Sequence, residues 1–161
     1  MPRPKPPVGT VFRIPLNDGG HAIGQVIAYE PQLLNTVSCI FTTLRSWEPG
    51  DTIPASAIIA SLSTTHDLLT KGKWQLLGHA IIPIAQADFP NEHLRTARWV
   101  GAKTIGSANV TKLLNAWFGL SAWDDFAIPT YLDTLLVRGV KRPSTAIIKQ
   151  DQAEHPTPPK A

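Results

Sequence analysis

At 161 residues, 43% of them hydrophobic and 17% charged, the chain has the length of one packed domain and the balance of a soluble globular protein. Its single cysteine, Cys39, excludes an internal disulfide. No window approaches the ~18 apolar residues of a membrane-spanning helix. The opening MPRPKPPVG has no apolar stretch that would serve as a signal sequence, so a cytoplasmic location is expected.

The net charge of +3 and pI of about 9.2 raise the question of nucleic acid. Residues 8–94 hold four basic and seven acidic side chains, and residues 95–149 hold eight basic and three acidic. A nucleic-acid binder shows a denser basic stripe or interleaved stacking aromatics, and neither is evident. The asymmetry points instead to attraction between the halves or to an acidic partner for the second.

In chain order, residues 1–7 are proline-rich and read as a flexible N-terminus, and residues 150–161 as a flexible proline-rich tail. Between them, residues 8–149 read as one globular domain, mainly β over 8–106 and helical over 107–139. TVFRIPL alternates, with Phe12, Ile14 and Leu16 on one face. HAIGQVIAY follows, with either Ala22, Val26 and Ala28 or Ile23, Ile27 and Tyr29 turned inward. Between them Asn17-Asp18-Gly19-Gly20 supplies residues that tolerate positive φ, which predicts a hairpin turn. A phosphate loop would lead into a helix, and a calcium loop would carry more oxygen ligands.

TVSCIFTTL (36–44) reads as a third strand. SAIIASL (56–62) is a strand or a short helix, with strand preferred. KWQLLGHAIIPI (73–84) reads as a strand bent or bulged at Gly78 and His79. RTARWVGAKTIG (95–106) reads as a short edge strand or strand pair. The period then changes: Val110, Leu113, Leu114 and Trp117 fall on one helix face, with Ser107 or Asn109 as cap and Gly119 past the end. A second helix is expected from about Pro129 to near Gly139, with Leu132, Leu135 and Leu136 inward. The fold class is therefore α+β: an antiparallel twisted sheet or small barrel followed by a C-terminal helical hairpin.

No catalytic constellation stands out. Cys39 lies in an apolar run that suits a buried thiol. His21, His66, His79 and His93 have no metal-ligand spacing, so neither a metal nor a cofactor is expected. Ser63, His66 and Asp67 are neighbours in sequence, which is not triad geometry. Asp124 and Asp125 point about 100° apart on a helix, so they do not share a proton, and they suit the start of the helix expected after them. Trp123 fills a core gap or anchors a partner.

Three stretches, in order, resemble immunity protein family 26 of bacterial polymorphic toxin systems: GTVFRIPLNDGGHAIGQVI, GKWQLLGHAIIPI with DFP after it, and LLNAWFGLSAWDDFAIPTYLDTLLV. The likeness spans roughly Gly9 to Val137. It implies a non-catalytic protein that binds and neutralises a cognate toxin, usually encoded next to it; covering or plugging the toxin's active site is the means we expect. No residue roles come with the resemblance. From this sequence alone, the candidate partner-binding residues are Asp18, His21, Glu30, Glu48, Asp51, Trp123, Asp124 and Asp125. The alternatives are a small-barrel nucleic-acid module using Arg138, Lys141 and Arg142, and a hydrolase with a site near His66 or His79.

Overall fold

The computed structural model describes residues 4–149; the expectations for residues 1–3 and for the 150–161 tail lie outside them. Six strands form one sheet: β1 (Thr10–Pro15), β2 (His21–Glu30), β3 (Thr36–Thr42), β4 (Ile58–Thr64), β5 (Gln75–His79) and β6 (Thr104–Ile105). Their order is β5-β1-β2-β3-β4-β6. All neighbours are antiparallel except β4 and β6, which run parallel. The sheet is open, so the expected alternative of a small barrel is not formed: β5 and β6 are its two edges.

Both faces of the sheet are covered, which explains why β2 offered two inward sets. On the first face Phe12, Ile14, Ala22, Val26, Cys39, Phe41 and Ile59 are buried. On the second, Val11, Ile23, Ile27, Ile40 and Ile58 are buried. Successive strand residues point to opposite faces, so one strand feeds both cores. A bulge at Ile27, where the β2–β3 register shifts between Val26 and Ala28, then turns Tyr29 onto the first face.

The first face is closed by α2 (Ser107–Trp117), a four-residue helix α1 (Asp67–Thr70), and Trp74, Trp123, Leu132 and Leu135. Trp74 stacks on Phe12 with centroids 5.2 Å apart and meets Phe41 edge-on. The N-cap of α2 is Gly106, and neither Ser107 nor Asn109 caps it with a side chain. Ser107 instead gives its hydroxyl to Asp67 at 2.8 Å. Gly119, at φ +73°, ends α2 in a Schellman arrangement: its N–H reaches Ala116 O, and that of Leu120 reaches Asn115 O.

Two expected elements are cut short. The second helix of the hairpin shrinks to a 3₁₀ turn, Leu132–Leu135, that still buries both leucines. Leu136 turns extended (ψ 146°), and the next N–H, of Val137, bonds Ile59 O on β4. That tertiary bond takes the chain out of the helix, and Ile128 before Pro129 supplies no capping oxygen. Residues 95–106 form a strand only at Thr104–Ile105. A 3₁₀ helix over Glu92–Ala97 precedes it, and Arg98 and Trp99 take φ of +53° and +65°.

Candidate functional site

The Asn17–Gly20 stretch is a turn, with Leu16 and Gly20 bonded across it and Pro15 opposite His21. Asp18 Oδ1 accepts the Gly20 N–H at 2.9 Å. Arg45 grips the same carboxylate at 3.0 and 2.8 Å and also donates from Nε to His21 O. The Arg45 bond and the Gly20 amide hold Asp18 below the usual carboxylate range. Its charge is thus partly spent within the chain. Asn115 Oδ1 accepts the Asn17 N–H, tying the turn to α2.

A cleft of about 330 Å³ between the turn and α2 is lined by Asn17, Lys112, Asn115, Ser121, Asp125 and Phe126, among others. It brings Asp125 close to the hairpin tip. Asp124 and Asp125 do not precede a regular α-helix. Asp124 accepts the Lys149 backbone N–H at 2.7 Å, and Asp125 pairs with the Lys149 ammonium at 3.1 Å.

Two of the candidate contacts are interior. Trp123 is fully buried, packs near Trp117 and donates from Nε1 to Asp133, so it fills the core and presents nothing to a partner. Glu30 is 3% exposed and pairs with Arg95 at 2.8 Å. That partner is 65 residues away and gives no local signal in the sequence.

Glu48 and Asp51 are exposed. Their loop is stiff. Asp51 Oδ2 accepts the Glu48 N–H, the Asp51 N–H reaches Glu48 O, and the buried Trp47 donates to Asp51 O. Among the described residues, neither carboxylate has an ion-pair partner. A cleft of about 360 Å³ beside them is lined by Asp51, Ile53, His79, Ile81 and Pro83, with Ile81 at 87% exposure. An acidic loop beside an exposed isoleucine is a chemically mixed contact surface. Periodicity could not single out Ile81, because Ile82 and Ile84 beside it pack inward.

Most of the remaining polar groups have partners within the chain, whereas the buried His66 Nδ1 has none among the described residues. Burial pushes the Cys39 thiol up, which makes it a poor nucleophile. Ser63 Oγ meets Ser38 and Asn91; His66 meets Asn35; His79 Nε2 lies 2.6 Å from Val8 O. Among the described residues no group of three His, Cys, Asp or Glu side chains is placed to hold a metal ion. Among the described residues no helix is long and apolar enough to cross a membrane. Arg138, Lys141 and Arg142 are exposed beyond the 3₁₀ turn.

Compared with known proteins, residues 7–95 match the model of a family described as Immunity protein 26. The match takes in β1 to β5 and the loop of Glu48 and Asp51, and it ends at Arg95, before α2. No curated protein and no solved structure matches the chain.

Proposed function

The chain belongs to the immunity protein 26 family, and on that premise we propose that it binds a cognate toxin, encoded beside it, and neutralises it by covering or plugging the toxin's active site. The family match carries this reading. The surface supports it: carboxylates at Glu48 and Asp51 that pair with no cation among the described residues stand beside an exposed isoleucine, the mixture that a specific protein partner buries. Asp125, which lines the cleft at the hairpin tip, belongs to the same proposal as an outer contact, together with Asp18, His21 and Asp124. The action is surface fit without turnover, in the cytoplasm, on an interface on the order of 1,600 Å² in total.

The test is co-expression with the product of the neighbouring toxin gene, together with purification of the pair. Restored growth and a stable one-to-one complex are expected. Unrelieved toxicity, with no complex by size-exclusion chromatography, refutes the reading.

A further inference from the structure

The turn between β2 and β3 carries a leucine that neither packing nor backbone preference asks for. Thr36 N–H bonds Leu33 O across the turn, and the two residues between, Leu34 and Asn35, have φ of +52° and +53°. Two left-handed residues in a row suit asparagine and glycine. Asn35 fits that demand. Leu34 does not, since a bulky side chain in this region meets its own carbonyl. Burial does not compensate, because Leu34 is 81% exposed.

The mount is nonetheless rigid. Leu33 is buried and its N–H bonds Glu30 O; the Thr36 hydroxyl donates to Leu33 O at 2.8 Å. Asn35 is held by the Lys5 ammonium at 3.0 Å and by His66 Nε2 at 3.3 Å. An apolar side chain is thus held into solvent, in a strained conformation, at the end of the central strand pair. Strain kept at an exposed position is a mark of function. Beside it a cleft of about 280 Å³ is lined by Thr65, His66, Asp67 and Lys71 as well as Leu34 and Asn35. Lys5 and Lys71 are exposed there, and among the described lining residues of the cleft one carboxylate, Asp67, which also accepts the Ser107 hydroxyl, faces them within electrostatic reach of Lys71, so the two ammonium groups outnumber it.

We infer that the β2–β3 turn is the element that enters the toxin, with Leu34 seated in an apolar cavity whose rim carries carboxylates facing Lys5 and Lys71. Only an apolar concavity rewards the exposed leucine, and the two ammonium groups select an acidic rim around it. This inference rests on the toxin-binding reading above and names the part of the surface that does the plugging.

The test uses the full chain and, as probe, the purified toxin domain encoded by the neighbouring gene. Leu34→Asn and Leu34→Gly are compared with the wild type and with Ile128→Ser, which removes another exposed apolar side chain (65% exposed). Both Leu34 variants are expected to melt at or above the wild-type temperature, because both residues take positive φ more easily. Their Kd for the toxin domain is expected to rise at least about tenfold, as for a buried apolar anchor. Ile128→Ser is expected to leave Kd unchanged. Wild-type Kd in both Leu34 variants overturns this inference and leaves toxin binding standing, as does a Kd loss matched by lowered melting, which makes the leucine structural. Absence of a wild-type complex overturns both.

Discussion

Arg95 Nη2 stands 2.8 Å from Glu30 Oε1 and 2.8 Å from Glu92 Oε2, bridging a carboxylate buried on β2 to one in the 3₁₀ segment lying over the sheet. The segment buries no side chain between Glu92 and Ala97. Polar ties hold it: this bridge, the Asn91 amide on Ser63 Oγ and Lys103 O, and Arg95 stacked over Trp99 at 4.6 Å. Arg95→Ala leaves Glu30 buried without its cation. Because Arg95 itself is 42% exposed, the cost is expected below that of a fully buried pair, about 1–3 kcal/mol. Urea denaturation of Arg95→Ala and of Arg95→Ala/Glu30→Gln checks this. The second substitution is expected to recover part of the loss, and a double variant weaker than the single one contradicts the assignment.

The same bridge sets a response to acid. The Arg95 bond holds Glu92 below its ordinary value of 4.5. A carboxylate depressed in the folded state contributes stability that is complete above its unfolded value and is lost as pH falls through the folded one. The wild-type urea midpoint is therefore expected to drop as pH falls below about 4.5, with Asp18, held down by Arg45, adding to the slope. Glu92→Gln is expected to flatten that drop while lowering the midpoint at neutral pH. Parallel curves for the two proteins would remove Glu92 from the account.

Gly24 tests the first-face core. A Cβ there would lie 2.7 Å from Phe12 Cζ and 3.2 Å from Ile40 O. Phe12 cannot swing away, because it stacks on Trp74 at an interplanar angle of 4° and abuts Phe41. Alanine gains a little from a less flexible unfolded chain, about 0.5–1 kcal/mol, and loses about 1–3 kcal/mol to overpacking. The clash is expected to win, so Gly24→Ala melts lower by several degrees. Adding Phe12→Leu is expected to relieve the clash at the price of a cavity, so the two changes are not additive. Unchanged melting of Gly24→Ala would mean that the Phe12–Trp74 stack yields easily.

These two regions differ in how much the sequence discloses. The β1–β2 hairpin was legible because its cause is local: Asn17 to Gly20 are turn residues and both flanks alternate. The face of β2 was not, because both sets of side chains are buried and one bulge at Ile27 exchanges them. The leucines of 132–136 show a helical spacing, yet a bond from Val137 to Ile59, remote in sequence, extends the chain after one turn. Glu30 read as a free surface acid for the same reason, since Arg95 is its partner only after folding. Glu48 and Asp51 were legible as exposed acids, whereas Leu34 was hidden: its exposure and left-handed φ exist only in three dimensions.

The carboxylates of the Glu48–Asp51 loop give the last prediction. Glu48 offers its side-chain charge to solvent, whereas Asp51 also accepts the Glu48 N–H. The two roles separate by choice of substitution. Glu48→Lys reverses a charge that no described cation pairs with, and Asp51→Asn removes a charge while keeping an oxygen for the turn. Neither is expected to move the melting temperature by more than about 0.5 kcal/mol equivalent, the range of ordinary surface changes. Both are expected to slow association with the toxin domain, by roughly tenfold for the reversal at low salt, with the difference shrinking as salt is added. Stopped-flow association over a salt series reads this directly. Equal rates at every ionic strength would place the toxin elsewhere and leave the turn of Leu34 as the contact that remains.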